Sequence, residues 1–173
     1  MEAVLDAAAE LFAVRGPAAT SIREVAARSG VNHGLVYRHF GTKEELVSAV
    51  LDHVSDRFNQ AVASGSDQVD QEAERQWRVL ARAILDGYPV GRLQHRFPYV
   101  DQLTEEARRA TDDDTAARLA AGHVVALELG WRLFEPFLRS ATGLEDLDPS
   151  ALWRATAALS RQVLAAPDRS RGG

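Results

Sequence analysis

Cysteine is absent from this 173-residue chain. With it go disulfide frameworks, thiolate metal sites and cysteine nucleophiles, and the absence fits an intracellular protein. Lysine occurs once, at Lys43. Every apolar stretch meets a charge well before the roughly 20 residues a membrane span needs, and the first residues carry no signal-peptide pattern. A cytoplasmic chain without a membrane partner is the expectation. Also missing are an HExxH pair, a phosphate-cradling glycine loop and paired His-carboxylate spacing. Without a convergent set of acid, base, nucleophile or metal ligands, neither an enzyme nor a cofactor or metal site is expected. Strand alternation, internal repeats and low-complexity tracts do not occur either.

What is present is 46% hydrophobic and 26% charged residues, which suits one compact unit or a small head on a larger body. The formal net charge is -5, the wrong sign for a chain-wide nucleic-acid surface, because Lys and Arg supply most non-specific affinity for phosphate. Any such surface must be local. Even residues 1–53 hold five Lys or Arg against seven Asp or Glu.

The chain reads as helices throughout. Val4, Leu5, Ala8, Leu11 and Phe12 fall at helical spacing, and Gly16-Pro17 stops that first run. Ser21-Ile-Arg-Glu24 fits a capping box, so a second helix starts there and ends at Gly30. Asn32 caps a short third helix carrying Leu35, Val36 and Phe40, and Thr42-Lys-Glu-Glu45 repeats the capping box for a fourth, running to about Ala63. After the polar break 64–70, a fifth helix lines up Ala73, Trp77, Leu80, Ile84 and Tyr88. An irregular connection around Pro89, Gly91 and Pro98 precedes an amphipathic helix over 99–110. The segment 115–140 is two-faced: Ala120, Val124, Leu127, Trp131, Phe134 and Leu138 form one apolar stripe, and Val125, Leu129, Leu133 and Phe137 another. Pro136 is expected to kink or shorten it. Asp148-Pro149 opens a last helix with Leu152, Thr156, Leu159 and Val163 on one face. An all-α chain of about eight or nine helices follows.

Three segments in register carry a resemblance: Ala18-Ala-Thr-Ser-Ile-Arg-Glu-Val-Ala-Ala-Arg-Ser-Gly-Val31, Gly34-Leu-Val-Tyr-Arg-His-Phe40 and Gly41-Thr-Lys-Glu-Glu-Leu46. Over roughly residues 3–50 the chain resembles the DNA-binding head of the TetR family of transcriptional regulators. The resemblance implies a helix-turn-helix that sets the helix from Asn32 to Phe40 in a major groove. It also implies DNA contacts from Thr20, Ser21, Asn32, His33, Gly34, Tyr37, His39 and Lys43. Thr20, Ser21 and Asn32 equally suit plain helix capping, which uses the same geometry. Two departures stand out. Family members usually carry basic residues just before the first helix, whereas this sequence opens almost at that helix. They often have a lysine where His33 stands and a threonine where Leu35 stands.

Beyond residue 50 the resemblance is to the general body plan. It implies a division into a helix-turn-helix domain at 1–45, a ligand-binding and dimerisation domain at 46–166 and a flexible tail at 167–173. Candidates for the homodimer interface are Val124, Leu127, Trp131, Leu138, Leu152, Thr156, Leu159 and Val163. Candidates for walling a pocket for a small apolar or amphipathic effector are Trp77, Leu80, Ile84, Tyr88, Phe97, Tyr99, His123 and Trp131. The implied function is that of a ligand-responsive, dimeric repressor bound to double-stranded operator DNA. The alternative is a helical protein-interaction module derived from such a regulator, with weak or lost DNA binding.

Overall fold

The computed structural model describes residues 1–166, and within them it holds nine helices and no strand. They are α1 (Glu2–Arg15), α2 (Ile22–Ser29), α3 (His33–Phe40), α4 (Lys43–Ser64), α5 (Val69–Leu85), α6 (Val90–Leu93), α7 (Pro98–Arg108), α8 (Asp114–Thr142) and α9 (Pro149–Ala165). The tail expected at 167–173 lies outside the described residues.

The helix starts follow from local chemistry. Both capping boxes form: Ser21 and Thr42 accept the backbone N–H of Glu24 and Glu45, whose carboxylates accept in return from the cap backbones. Each satisfies donors that a helix end otherwise leaves unpaired. Asp113 caps α8, and Asp148 caps α9 with proline in its first turn. The chain turns after α2 at Gly30, whose φ of 68° lies in the left-handed region where glycine has no Cβ to clash.

Two structural differences from the sequence reading concern the middle of the chain. The connection after Tyr88 contains the single-turn helix α6, too short for any apolar period to announce. Of the two effects expected of Pro136, a kink or a shortened helix, shortening does not occur, because α8 continues past it to Thr142. Proline forfeits one backbone donor there, and side-chain contacts gather at the helix end beyond it. Arg139 pairs with Glu135 at 2.8 Å and donates to the Leu144 carbonyl at 3.1 Å.

The chain packs as two compact units, Met1–Phe97 and Pro98 onward. In the first, Val4, Ala8 and Phe12 of α1 meet Val25, Val36, Phe40, Leu46, Val47, Val50, Val54, Val79 and Val90 in one buried cluster. The packing boundary therefore falls at 97/98, because α4 and α5 share the core of α1 and carry the head with them. Polar contacts reinforce this joint: His53 Nε2 lies 3.0 Å from Asp6 Oδ1, and Arg57 pairs with the buried Glu72 at 2.9 Å. In the second unit, Leu103, Ala107, Ala117, Ala120, Ala121, Val124 and Leu164 form the core of α7, α8 and α9. Its alanines let the helix backbones approach closely.

Candidate nucleic-acid interface

The first unit presents α3 as a helix with one buried and one open side. Val36 and Phe40 sit in the core, four residues apart, and fix its rotation. His33, Gly34, Leu35, Tyr37, Arg38 and His39 are consequently exposed, with Tyr37 60% accessible, an expensive position for an aromatic ring with no partner surface. Leu35, placed with the apolar residues of this helix in the sequence reading, is instead 45% exposed, because it lies about 100° around the helix from Val36. The His39 ring stands edge-on to Phe40, with centroids 4.7 Å apart. Asn32 Oδ1 accepts the Gly34 N–H at 2.8 Å, so capping occupies one of its acceptor sites and leaves its amide donors outward.

At the start of α2, Ser21 is exposed and Thr20 is not. Thr20 is 1% accessible and its hydroxyl donates to the Gly16 carbonyl at 2.8 Å. This corrects the expectation of a phosphate contact from the Thr20 side chain, which is spent on closing the turn. Lys43, half-buried, donates to the Ala18 carbonyl at 3.4 Å and to the Thr20 carbonyl. Two of its three N–H groups brace the turn before α2, and one remains for an anion. Burial pulls its ammonium below the usual lysine range, while Asp86 and Glu24 oppose that shift. Hydrogen bonds from the Ser21 backbone and hydroxyl, with Arg15 alongside, hold the Glu24 carboxyl down at about 2.

The local charge balance is more favourable than the count suggests. Glu24 and Glu10 are met by Arg15 at 2.9 Å and Arg28 at 2.7 Å. Arg23 and Arg38 are exposed and make no ion pair among the described residues. The outer side of α2 and α3 thus shows unneutralised cation while much of the acid is spent internally.

Residues 4–50 match the family model for bacterial regulatory proteins of the tetR family. The chain is 58% identical over 147 residues to the HTH-type transcriptional repressor Rv3405c of Mycobacterium tuberculosis, covering 84% of this chain and 78% of the relative. It belongs to the tetR family. A shorter match, 41% identical over 68 residues, joins 37% of this chain to 33% of the HTH-type transcriptional repressor KstR2 of Rhodococcus jostii. Among solved structures, Mycobacterium smegmatis BioQ superposes with a TM-score of 0.55 at 26% identity, over 95% of this chain and 97% of that one. A tetR-family structure from Shewanella sp. PV-4 gives 0.57 at 19% identity, over 92% and 95%, which bears on the fold alone. The α2–α3 pair is therefore the family's helix-turn-helix, and the chain is a DNA-binding transcriptional regulator.

In this tetR-family chain the expected effector residues divide between the two units. Trp77 is buried on α5, Leu80 and Tyr88 pack against the first core, and Phe97 ends the first unit. Ile84 faces solvent at 47%, which removes it from any enclosed wall within that unit. Tyr99 and Trp131 are half-buried in the second unit and His123 is exposed. The Tyr99 hydroxyl donates to Glu128 Oε1 at 2.9 Å, and burial beside that carboxylate raises its pKa well above the usual tyrosine value. Three surface hollows, one of about 660 Å³ between α4 and α5, are lined mainly by polar side chains and by none of the expected effector residues.

The expected dimer residues also divide. Val124, Leu152 and Thr156 are buried within the second unit, and Thr156 spends its hydroxyl on the Leu152 carbonyl, so these three are withdrawn from an outer face. Leu127, Trp131, Leu138 and Val163 are half-buried, and Leu159 is exposed. The large apolar side chains left open on these helices are instead Leu119, Phe134 and Phe137 of α8 and Leu159 of α9. On α8, residues 119, 126 and 137 align within about 20° of one another, whereas 124 lies some 140° away.

Proposed function

We propose that this tetR-family regulator is a dimeric repressor that grips a palindromic operator through α3, with Tyr37, His33, Gly34 and Asn32 toward the groove. Ser21, His39 and Lys43 lie toward the flanking phosphates. The observation that carries the reading is the exposed side of α3, where an unpartnered tyrosine, an arginine and two histidines sit on a rigid, core-anchored helix. Such a surface gains by burial against DNA what it forgoes in water. The printed name of the Mycobacterium tuberculosis relative, a transcriptional repressor, supports the direction of regulation. The open apolar face of α8 and α9 supports a two-fold dimer, because Phe137 at 68% and Leu119 at 55% accessibility are costly in an isolated subunit. A small apolar or amphipathic effector that shifts the heads completes the reading, with α4 as the element shared by head and core.

Binding of the purified protein to the DNA upstream of its own coding region, titrated with salt, tests this. Affinity should fall steeply with salt, as phosphate contacts require, and Tyr37→Ala should cost roughly tenfold or more. Equal affinity for operator and unrelated DNA, or none at low salt, would favour the interaction-module alternative.

A further inference from the structure

The turn that delivers α2 is held from a distant point in the chain. Asp86, the residue that ends α5, accepts the backbone N–H of Ala18 through Oδ2 at 2.7 Å across 68 residues of sequence. Gly16 makes this approach possible, because a Cβ at that position would overlap the Asp86 carboxylate. The Lys43 ammonium bonds the Ala18 and Thr20 carbonyls of the same turn, and Asp86 attracts that same charge. The turn 16–20 is thereby pinned at three backbone groups by two side chains from α5 and α4. It leads directly into Ser21 and the first turn of α2.

Two considerations of charge say that Asp86 is not there for its own helix or for general DNA affinity. A carboxylate at a helix C-terminus faces the negative end of the helix dipole. An acid beside a phosphate-binding surface also opposes binding. Both penalties are accepted at a position whose carboxylate reaches a backbone donor of the DNA-binding head.

Building on the DNA-binding reading above, we infer that Asp86 is a positioning residue for operator recognition. Through the Ala18 N–H it fixes the 16–20 turn, and so aims Ser21 and the α2 N-terminus at phosphate. It touches no DNA itself. The end of α5 becomes the point at which the core of the first unit sets the attitude of the helix-turn-helix.

The test compares the full-length wild type with Asp86→Ala and Asp86→Asn. Each is measured for operator affinity across a salt series, thermal midpoint and hydrogen exchange at the Ala18 amide. Loss of the charge-assisted bond should weaken operator binding in the alanine variant by roughly tenfold. Its salt slope should stay unchanged, since no phosphate-contacting cation is removed, and exchange at Ala18 should accelerate. Asparagine keeps an acceptor oxygen and should recover affinity to within about threefold with Ala18 still protected. If both variants lose affinity equally, or alanine binds as wild type, the positioning role is overturned and the DNA-binding reading stands. If the alanine variant is too unstable to bind, the asparagine variant and Ala18 exchange decide alone: an unprotected Ala18 amide in a folded wild type rejects the proposal. A wild type that binds no DNA overturns both readings together.

Discussion

At the scale of single residues, the head depends on groups that do two jobs, and the consequences separate by measurement. Ser21 caps α2 and, on the DNA-binding reading proposed above, also meets a phosphate, so Ser21→Ala should cost about 1 kcal/mol of stability and weaken DNA binding as well. Ser21→Gly should keep most of the stability while losing the hydroxyl. Glu24 adds a pH dependence. Its carboxyl is held at about 2, against an ordinary value of 4.5, by hydrogen bonds from Ser21 and then by Arg15. A lowered folded-state value means that the unfolded chain binds the proton more readily, so the stabilisation is complete above about 4.5 and disappears as pH falls toward 2. Acid titration of the thermal midpoint should therefore show a decline across that window that is smaller in Glu24→Gln. An identical acid profile in the variant would mean that the capping box does not contribute. Phe12, 1% accessible at the centre of the first core, gives the contrasting case of a residue with one job. Phe12→Ala should cost about 3–5 kcal/mol, and calorimetry would register it without any DNA present.

At the scale of elements, the helices were legible in sequence wherever an end carried its own chemistry. Ser21 with Glu24, Thr42 with Glu45, Asn32 and Asp148-Pro149 each supply a side chain that satisfies orphan backbone donors, a decision made within four residues. Where the decision is not local, the sequence was silent. The short α6 has no full apolar period, and the exposure of Leu35 depends on which neighbours the core already holds. Thr20 reads as a polar candidate until the Gly16 carbonyl is found 2.8 Å from its hydroxyl. The grip of Asp86 on Ala18 spans a separation that no motif covers. Val124 stands among the interface candidates for a related reason: two apolar stripes share one helix, and only packing against α7 and α9 shows that Val124 points inward. Pro136 is the element-scale feature that remains open to experiment. Because α8 runs through it, Pro136→Ala restores a backbone donor inside a continuous helix. The second unit should gain roughly 1–3 kcal/mol, read as a higher denaturant midpoint. A loss of stability would mean that the proline is built into a bend that packing requires.

At the scale of the whole molecule, a formal charge of -5 and a DNA-binding function are compatible because the charges are sorted. Head acids are spent on Arg15, Arg28 and two capping boxes, while Arg23, Arg38 and one donor of Lys43 remain outward. So few cations give one head limited phosphate affinity, and the salt dependence of a single head should be shallow. On the dimeric reading proposed above, strong operator binding comes from two heads on one DNA, and the proposed contact is the apolar face of α8 and α9. Phe137 is the most exposed phenylalanine of that face at 68%. Phe137→Glu puts a charge where a two-fold partner would bury the ring. The expected result is a shift from dimer to monomer in sedimentation at micromolar concentration, with the folded helix content unchanged because the side chain is outside the protomer's core. Operator affinity should fall far more than affinity for a single half-site, since only the linkage of the two heads is lost. Equal losses on half-site and full site would place the defect in the head instead. A variant that stays dimeric would move the interface to another surface of the chain.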